Sequence, residues 1–282
     1  MSPGRNVAAI ALLGGCITLH GCYPPREAAP TYTEQGAEFL SLGNLKFAVS
    51  VLNEAVAADS CYTEAWYLRA YANLWSGDSL AAIRDVNRAI ALDPIHVGAY
   101  FLRAMLLCGR GEYGRAMFDA EQLIHIYPAY PDGFACRGII FEAMGRDDSA
   151  LCDYNSVIAI RPDKDDILLR RAWVLFRAED YPGSIADFSR ILELVPEASD
   201  IYSDRALARY SMDDFAGAIS DCDSALIFDP ENAAAAFNKG LACERLGWNR
   251  EAEKAFQLFL TVAHPDDPDI EEARARLREL RR

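Results

Sequence analysis

Positive charge is scarce in this chain: 28 lysines and arginines face 42 aspartates and glutamates, a formal net charge of −14. A nucleic-acid binder neutralises phosphates with clustered cations, so that class of partner is excluded. Histidine is rare as well. His20, His96, His125 and His264 are scattered with no pair at helical metal-ligating spacing, so no metal and no other cofactor is expected. Long apolar runs are also missing. The longest, Val7–Leu19, is shorter than the roughly 20 residues that a helical span of a bilayer needs.

Motifs that carry catalysis are absent too. No serine or cysteine has a recognisable nucleophile pattern around it. Gly109-Arg110-Gly111-Glu112-Tyr113-Gly114 spells the dinucleotide fingerprint, but it falls at a turn between two expected helices, with no strand before it. The acidic run at 163–166 lacks the glycine and the distal glutamate of a calcium loop. The chain is therefore not expected to be an enzyme.

What the sequence does have is a 34-residue period without insertions, clearest in Thr63–His96 and running from about Ala29 to Asp266. With Thr63 as position 1, position 8 is always small: Gly36, Ala70, Ala104, Gly138, Ala172, Ala206 and Gly240. Position 20 is small as well, and position 32 is proline in the five inner copies, from Pro94 to Pro230. Small residues at 8 and 20 let two antiparallel helices approach closely. Glycine at position 15 supplies a turn of positive φ, with Glu179 and Asp213 as departures. Proline stops the second helix because it has no N–H and clashes with the preceding turn. A single hairpin cannot bury its apolar face, so the copies must stack.

Two further positions vary together. The five inner copies pair arginine at 7 with aspartate at 23: Arg69 with Asp85, Arg103 with Asp119, Arg137 with Asp153, Arg171 with Asp187, and Arg205 with Asp221. The outer copies lose both residues. This co-occurrence predicts structural ion pairs between the two helices of a hairpin, with bidentate geometry open to arginine. A row of arginines for an anionic ligand is disfavoured, since each already has a carboxylate at fixed spacing.

The pattern resembles the tetratricopeptide repeat. The resemblance implies an all-α, right-handed α-solenoid of seven hairpins (29–62, 63–96, 97–130, 131–164, 165–198, 199–232 and 233–266), placing the repeat domain at 31–266. It also implies a groove lined by first helices through positions 2, 5, 9, 12 and 13. Carried to this sequence, those positions give Tyr67, Tyr71, Leu74 and Trp75 in the second copy, and Phe101 and Met105 in the third. The fifth and sixth copies give Leu169, Trp173, Phe176 and Tyr210. Trp75 and Trp173 are the preferred contacts, and Glu64, Asp132, Asp166 and Asp200 form an acidic lip. Such a face suits a protein or peptide partner with apolar anchors and some basic residues. The lysines and asparagines of the family's carboxylate clamp are missing, which disfavours recognition of a C-terminal carboxylate. A homodimer through the ends stays open.

The termini carry separate signals. Residues 1–21 read as a secretory leader whose apolar run ends in Leu19-His20-Gly21-Cys22, which looks like a bacterial lipobox, with lipid on Cys22. Cys16, after Leu13-Gly14-Gly15, is the alternative. Residues 22–30 read as the lipidated cysteine and an extended tether, with a capping box at Thr31–Glu34 starting the first helix. At the other end, residues 267–282 read as a capping helix that begins at Asp267-Pro268, with Ile270, Ala273, Leu277 and Leu280 on one face. Six other cysteines remain. They read as small buried or incidental thiols, with Cys136 and Cys152 the one pair to test for a disulfide. The functional expectation is an envelope scaffold facing the periplasm, on the outer membrane. The alternatives are a pilotin-like assembly factor, or a cytosolic adaptor if the leader is misread.

Overall fold

A computed structural model describes residues 25–281. The leader and both candidate lipidation cysteines lie outside the described residues. Within them every regular element is helical: one short 3-10 turn, Arg26–Ala28, and fifteen α-helices. The chain divides into two compact units, the first ending at Leu92 and the second beginning at Asp93.

The first unit holds two hairpins, α1 (Ala29–Ser41) with α2 (Leu45–Ala58) and α3 (Thr63–Trp75) with α4 (Ser79–Leu92); α3 packs on both α1 and α2. The second unit continues with α5 (Val97–Gly109), α6 (Tyr113–Ile126), α7 (Pro131–Ala143) and α8 (Asp147–Ile160). It goes on through α9 (Asp165–Arg177), α10 (Tyr181–Leu194), α11 (Ser199–Ser211) and α12 (Phe215–Phe228), and closes with α13 (Ala233–Arg245), α14 (Asn249–Val262) and α15 (Ile270–Leu280). Within each unit the two helices of a hairpin pack on each other and successive hairpins stack, the arrangement of an all-α solenoid.

The period explains the local geometry. Position 8 packs against position 24, and a Cβ built on Gly36, Gly138 or Gly240 would stand 2.5, 2.7 or 2.6 Å from Leu52, Tyr154 or Phe256. Glycine is therefore what lets the larger side chain lie across the helix pair. Position 15 has positive φ in all seven turns: at Gly43, Gly77, Gly111, Gly145 and Gly247, and also at Glu179 and Asp213, both with φ 61. The last two hold a left-handed conformation that costs an L-residue energy, so the hairpin geometry overrides local preference there. Second helices stop two residues before the proline. The aspartate before that position closes the turn by accepting the amide two residues on, at Asp59 in the first copy, which has Ser60 there, and equally at Asp93 and Asp229 in copies that keep the proline.

Three terminal expectations are corrected. Residues 26–30 are not an extended tether: Arg26 Nε donates to Asp59 at 2.7 Å, and α1 begins at Ala29 with Pro30 in its first turn. Thr31 caps nothing, and the Thr33 hydroxyl donates instead to Ala29 O at 2.7 Å. The last helix begins at Ile270 rather than at Pro268, because Asp267 accepts the Asp269 amide in a turn that precedes the helix. Its expected apolar face is present, with Ala273 and Leu277 buried beside Phe256 and Phe259. The six described cysteines are free thiols. Cys136 is buried while Cys152 is exposed, so the pair proposed for a disulfide is not joined.

Candidate partner-binding face

The arginines of position 7 are committed to structure. Each of the five reaches its position-23 aspartate in a two-pronged arrangement: Arg69, Arg103, Arg137, Arg171 and Arg205 place Nη2 2.6–2.8 Å from one carboxylate oxygen and Nε 2.8–2.9 Å from the other. The aspartates are buried, while the arginine side chains keep 14–29 % of their surface. The sequence reading missed a third partner. Sixteen residues upstream, on the previous hairpin, Asn53 accepts from Arg69, Asn155 from Arg171, and Ser189 from Arg205. Lys239, which lacks the aspartate of its own copy, uses that same upstream position and bonds Asp223 at 2.5 Å. The arginine therefore joins hairpin to hairpin as well as helix to helix. Four of them also lie over the position-4 ring one turn back, at Trp66, Tyr100, Phe134 and Tyr202.

In the first unit, Tyr67, Tyr71 and Trp75 follow one another at four-residue steps along α3. Tyr71 is 38 % and Trp75 64 % exposed, their rings 6.1 Å apart. Tyr67 and Leu74 are half-buried, and burial raises the Tyr67 hydroxyl pKa, with Glu64 adding to it. In the second unit, Phe101 and Met105 on α5 are half-buried.

The remaining predicted aromatics pack in part against their own chain, and Trp173 itself is half-buried. Its ring meets Phe176 at 5.5 Å and the fully buried Phe188 at 5.8 Å, edge to face, and its indole lies close enough to Asp204 to hold that carboxyl's pKa down somewhat. Phe176 packs on Tyr181, and Tyr210 packs on Phe215 and lies under Arg245. Leu169 and Trp173 line a cleft with Glu142, Asp166, Arg170 and Arg177. An adjoining hollow adds Ile139 and Asp147.

The charges of this cleft were not foreseen. Glu142 accepts from the Tyr154 hydroxyl at 2.7 Å and from Arg170 at 3.2 Å, and Arg177 grips Asp147 with two bonds of 3.0 Å. Ile139, Glu142 and Arg177 stand at positions 9, 12 and 13, which the resemblance assigns to the groove. Arg170 and Asp204 occupy position 6, where the three copies before them have Leu68, Leu102 and Cys136, so the change to charge along those copies was the available signal. Of the predicted acidic lip, Asp132 and Asp166 share Lys164 at 3.9 and 3.5 Å. Burial, and after it Asp200, push the Asp204 carboxyl up to about 6. Among the described residues no group of histidine, cysteine and acidic side chains is placed to hold a metal, and no helix is long and apolar enough to cross a membrane.

The tetratricopeptide repeat family model matches residues 75–131 and 203–268. Among curated proteins, no sequence matches this chain. Solved structures share the fold at low identity. A tetratricopeptide repeat protein from Parabacteroides merdae is 17% identical over 91% of this chain and 100% of its own, with a TM-score of 0.60. The C-terminal part of a repeat protein from Cytophaga hutchinsonii is 16% identical over 86% of this chain and 98% of its own, at 0.64. Pseudomonas aeruginosa pilF is 17% identical over 82% and 97%, at 0.61. Together the family match and these neighbours support a tetratricopeptide repeat protein.

Proposed function

We propose that this chain, built of tetratricopeptide hairpins, is a noncatalytic scaffold of the bacterial envelope, held at a membrane by lipid on Cys22 and carrying a protein or peptide partner on its first-helix faces. The observation that carries the reading is the side chains left open there: Trp75 is 64 % exposed beside Tyr71, and Leu169 with Trp173 lines a cleft. Large amphipathic rings of this kind supply much contact energy for little lost entropy when a partner covers them. The anchor is supported by the apolar run ending at Cys22, and by a fold that is already tied down at Arg26.

A photo-crosslinking residue placed at Trp75 or Leu169 of the full chain, in cells, is expected to capture a partner. The same residue at Arg84, on the exposed side of α4, is expected to capture none. No adduct from either first-helix position would sink the scaffold reading, and the captured protein separates an adaptor for an envelope hydrolase from an assembly factor for a pore-forming subunit. Fatty-acid labelling lost in Cys22→Ala and kept in Cys16→Ala places the anchor. The reverse moves it to Cys16, and an unlabelled parent chain removes the membrane from the proposal.

A further inference from the structure

The second helices of the first unit carry an unusual outer side. Position 18 is Lys46 in α2 and Leu80 in α4, Phe47 follows at position 19 of α2, and Arg84 and Arg88 stand at positions 22 and 26 of α4. All five are exposed, Phe47 and Leu80 at 58 % each. Lys46, Arg84 and Arg88 have no acidic partner among the described residues, and Glu54 is the one exposed acid of the two helices. In the third and fifth copies, by contrast, the second-helix cations Arg115 and Arg190 are spent on Glu112 and on Asp163 and Glu193. Three unspent cations beside two bare apolar side chains stand out in a chain of net charge −14.

The chain that precedes this unit arrives on the same helix. Arg26 is tied to Asp59, which follows α2 directly, and its 3-10 turn packs on both α1 and α2. Cys22 is four residues earlier, a reach of at most about 14 Å, and α2 with its 14 residues is about 21 Å long. A lipid on Cys22 therefore keeps the bilayer within one helix length of this side. We propose that the exposed sides of α2 and α4 lie on that bilayer, with Lys46, Arg84 and Arg88 against the phosphates of anionic lipids and Phe47 and Leu80 entering the headgroup layer. This rests on the lipid-anchor reading above and adds a second point of attachment to it. A single acyl chain holds a protein weakly and reversibly, and basic and apolar side chains beside it supply the second signal that stable attachment needs. Tyr71 and Trp75 belong to the first helix of their hairpin, so the partner-binding side stays open.

A photo-crosslinking residue at Phe47 or Leu80 of the lipidated full chain, reconstituted in vesicles of phosphatidylethanolamine and phosphatidylglycerol, is expected to capture phospholipid. The same residue at Trp75, equally bare but on a first helix, is expected to capture none. The combined change Lys46→Gln, Arg84→Gln and Arg88→Gln should lower lipid capture at Leu80 by at least roughly fivefold, and so should vesicles of phosphatidylcholine alone. The lipid exchange uses the parent protein, so a folding defect cannot imitate that loss. Lipid captured equally at Trp75, a yield that neither the charge change nor the lipid exchange moves, or no lipid at Phe47 and Leu80 while the chain stays on the vesicles overturns this docking and leaves the anchor standing. A chain that washes off the vesicles overturns both.

Discussion

At the scale of single residues, the decisive fact is which carboxylates have a counter-charge. Asp153 is 3 % exposed and held by two bonds from Arg137, so Arg137→Ala leaves a buried charge with neither water nor cation. A loss of about 2–4 kcal/mol is expected, below the full cost of a dry pair because Arg137 is partly wet. Adding Asp153→Ala should cost little more, and two independent, additive losses in chemical denaturation would refute the pairing. Asp204 is the opposite case. Its folded pKa of about 6 lies above the ordinary aspartate value near 3.9, so the fold prefers the protonated form. The groups responsible, after burial, are Asp200 on its own helix, with the Trp173 indole of α9 acting against them. The stability this contributes is complete below about pH 4 and is lost as pH rises through 6. Asp204→Asn keeps an acceptor for the indole and should therefore stabilise the protein at pH 7.5 by about 1–2 kcal/mol, after discounting for the exposed part of the group. The gain should fade to nothing near pH 4, and a gain independent of pH would show that the carboxylate is not the cause.

At the scale of the helix pair, the governing quantity is the sum of side-chain volumes at positions 8 and 24. Glycine goes with Leu52, Tyr154 and Phe256, and alanine goes with Val86, Ala120 and Cys222. Only the fifth copy joins alanine, Ala172, to a ring as large as Phe188. Gly138→Ala would set a Cβ 2.7 Å from a Tyr154 ring carbon, both residues being buried in the α7–α8 hairpin, and should cost about 1–3 kcal/mol by overpacking. A second change, Tyr154→Leu, should return much of that loss in thermal melts, and no rescue would mean that the strain lies elsewhere. The hairpins themselves were legible because small residues, turn and proline recur at fixed offsets and all point to one geometry. Helix ends were less legible. The Thr31–Glu34 pattern does satisfy a capping box, but Pro30 fits a first turn where its missing N–H costs nothing, and the Arg26–Asp59 bond brings the chain to the helix pair earlier. The candidate site was half legible for a related reason. Apolar side chains announce a face by spacing, as Leu169 and Trp173 did, whereas the balance of Arg170, Arg177, Glu142 and Asp204 depends on which neighbour each side chain turns toward.

At the scale of the whole molecule, a stack of repeats has ends, and each end must be made compatible with water. Net charge of −14 keeps such stacks from adhering to one another, but it does not cover an apolar face. In the second unit that task falls to α15. Ala273 and Leu277 join the cluster of Phe256 and Phe259, with Ile270 and Leu280 at its margin. Arg276 and Arg281 reach back to Glu244 and Glu253 at 2.7 Å, so the arginines of this helix serve partly to fasten it and not only to solvate it. Ending the chain after Asp267 would uncover Phe259, now 1 % exposed, and remove apolar burial worth on the order of 3–6 kcal/mol. Because each hairpin is stabilised by its neighbours, the damage should be graded. Hydrogen exchange is expected to speed up most in α13 and α14, less in α11 and α12, and hardly at all in α5 and α6. Equal acceleration across all the hairpins of this unit would mean that it opens as one block, and that nearest-neighbour stacking is the wrong description of what holds it together.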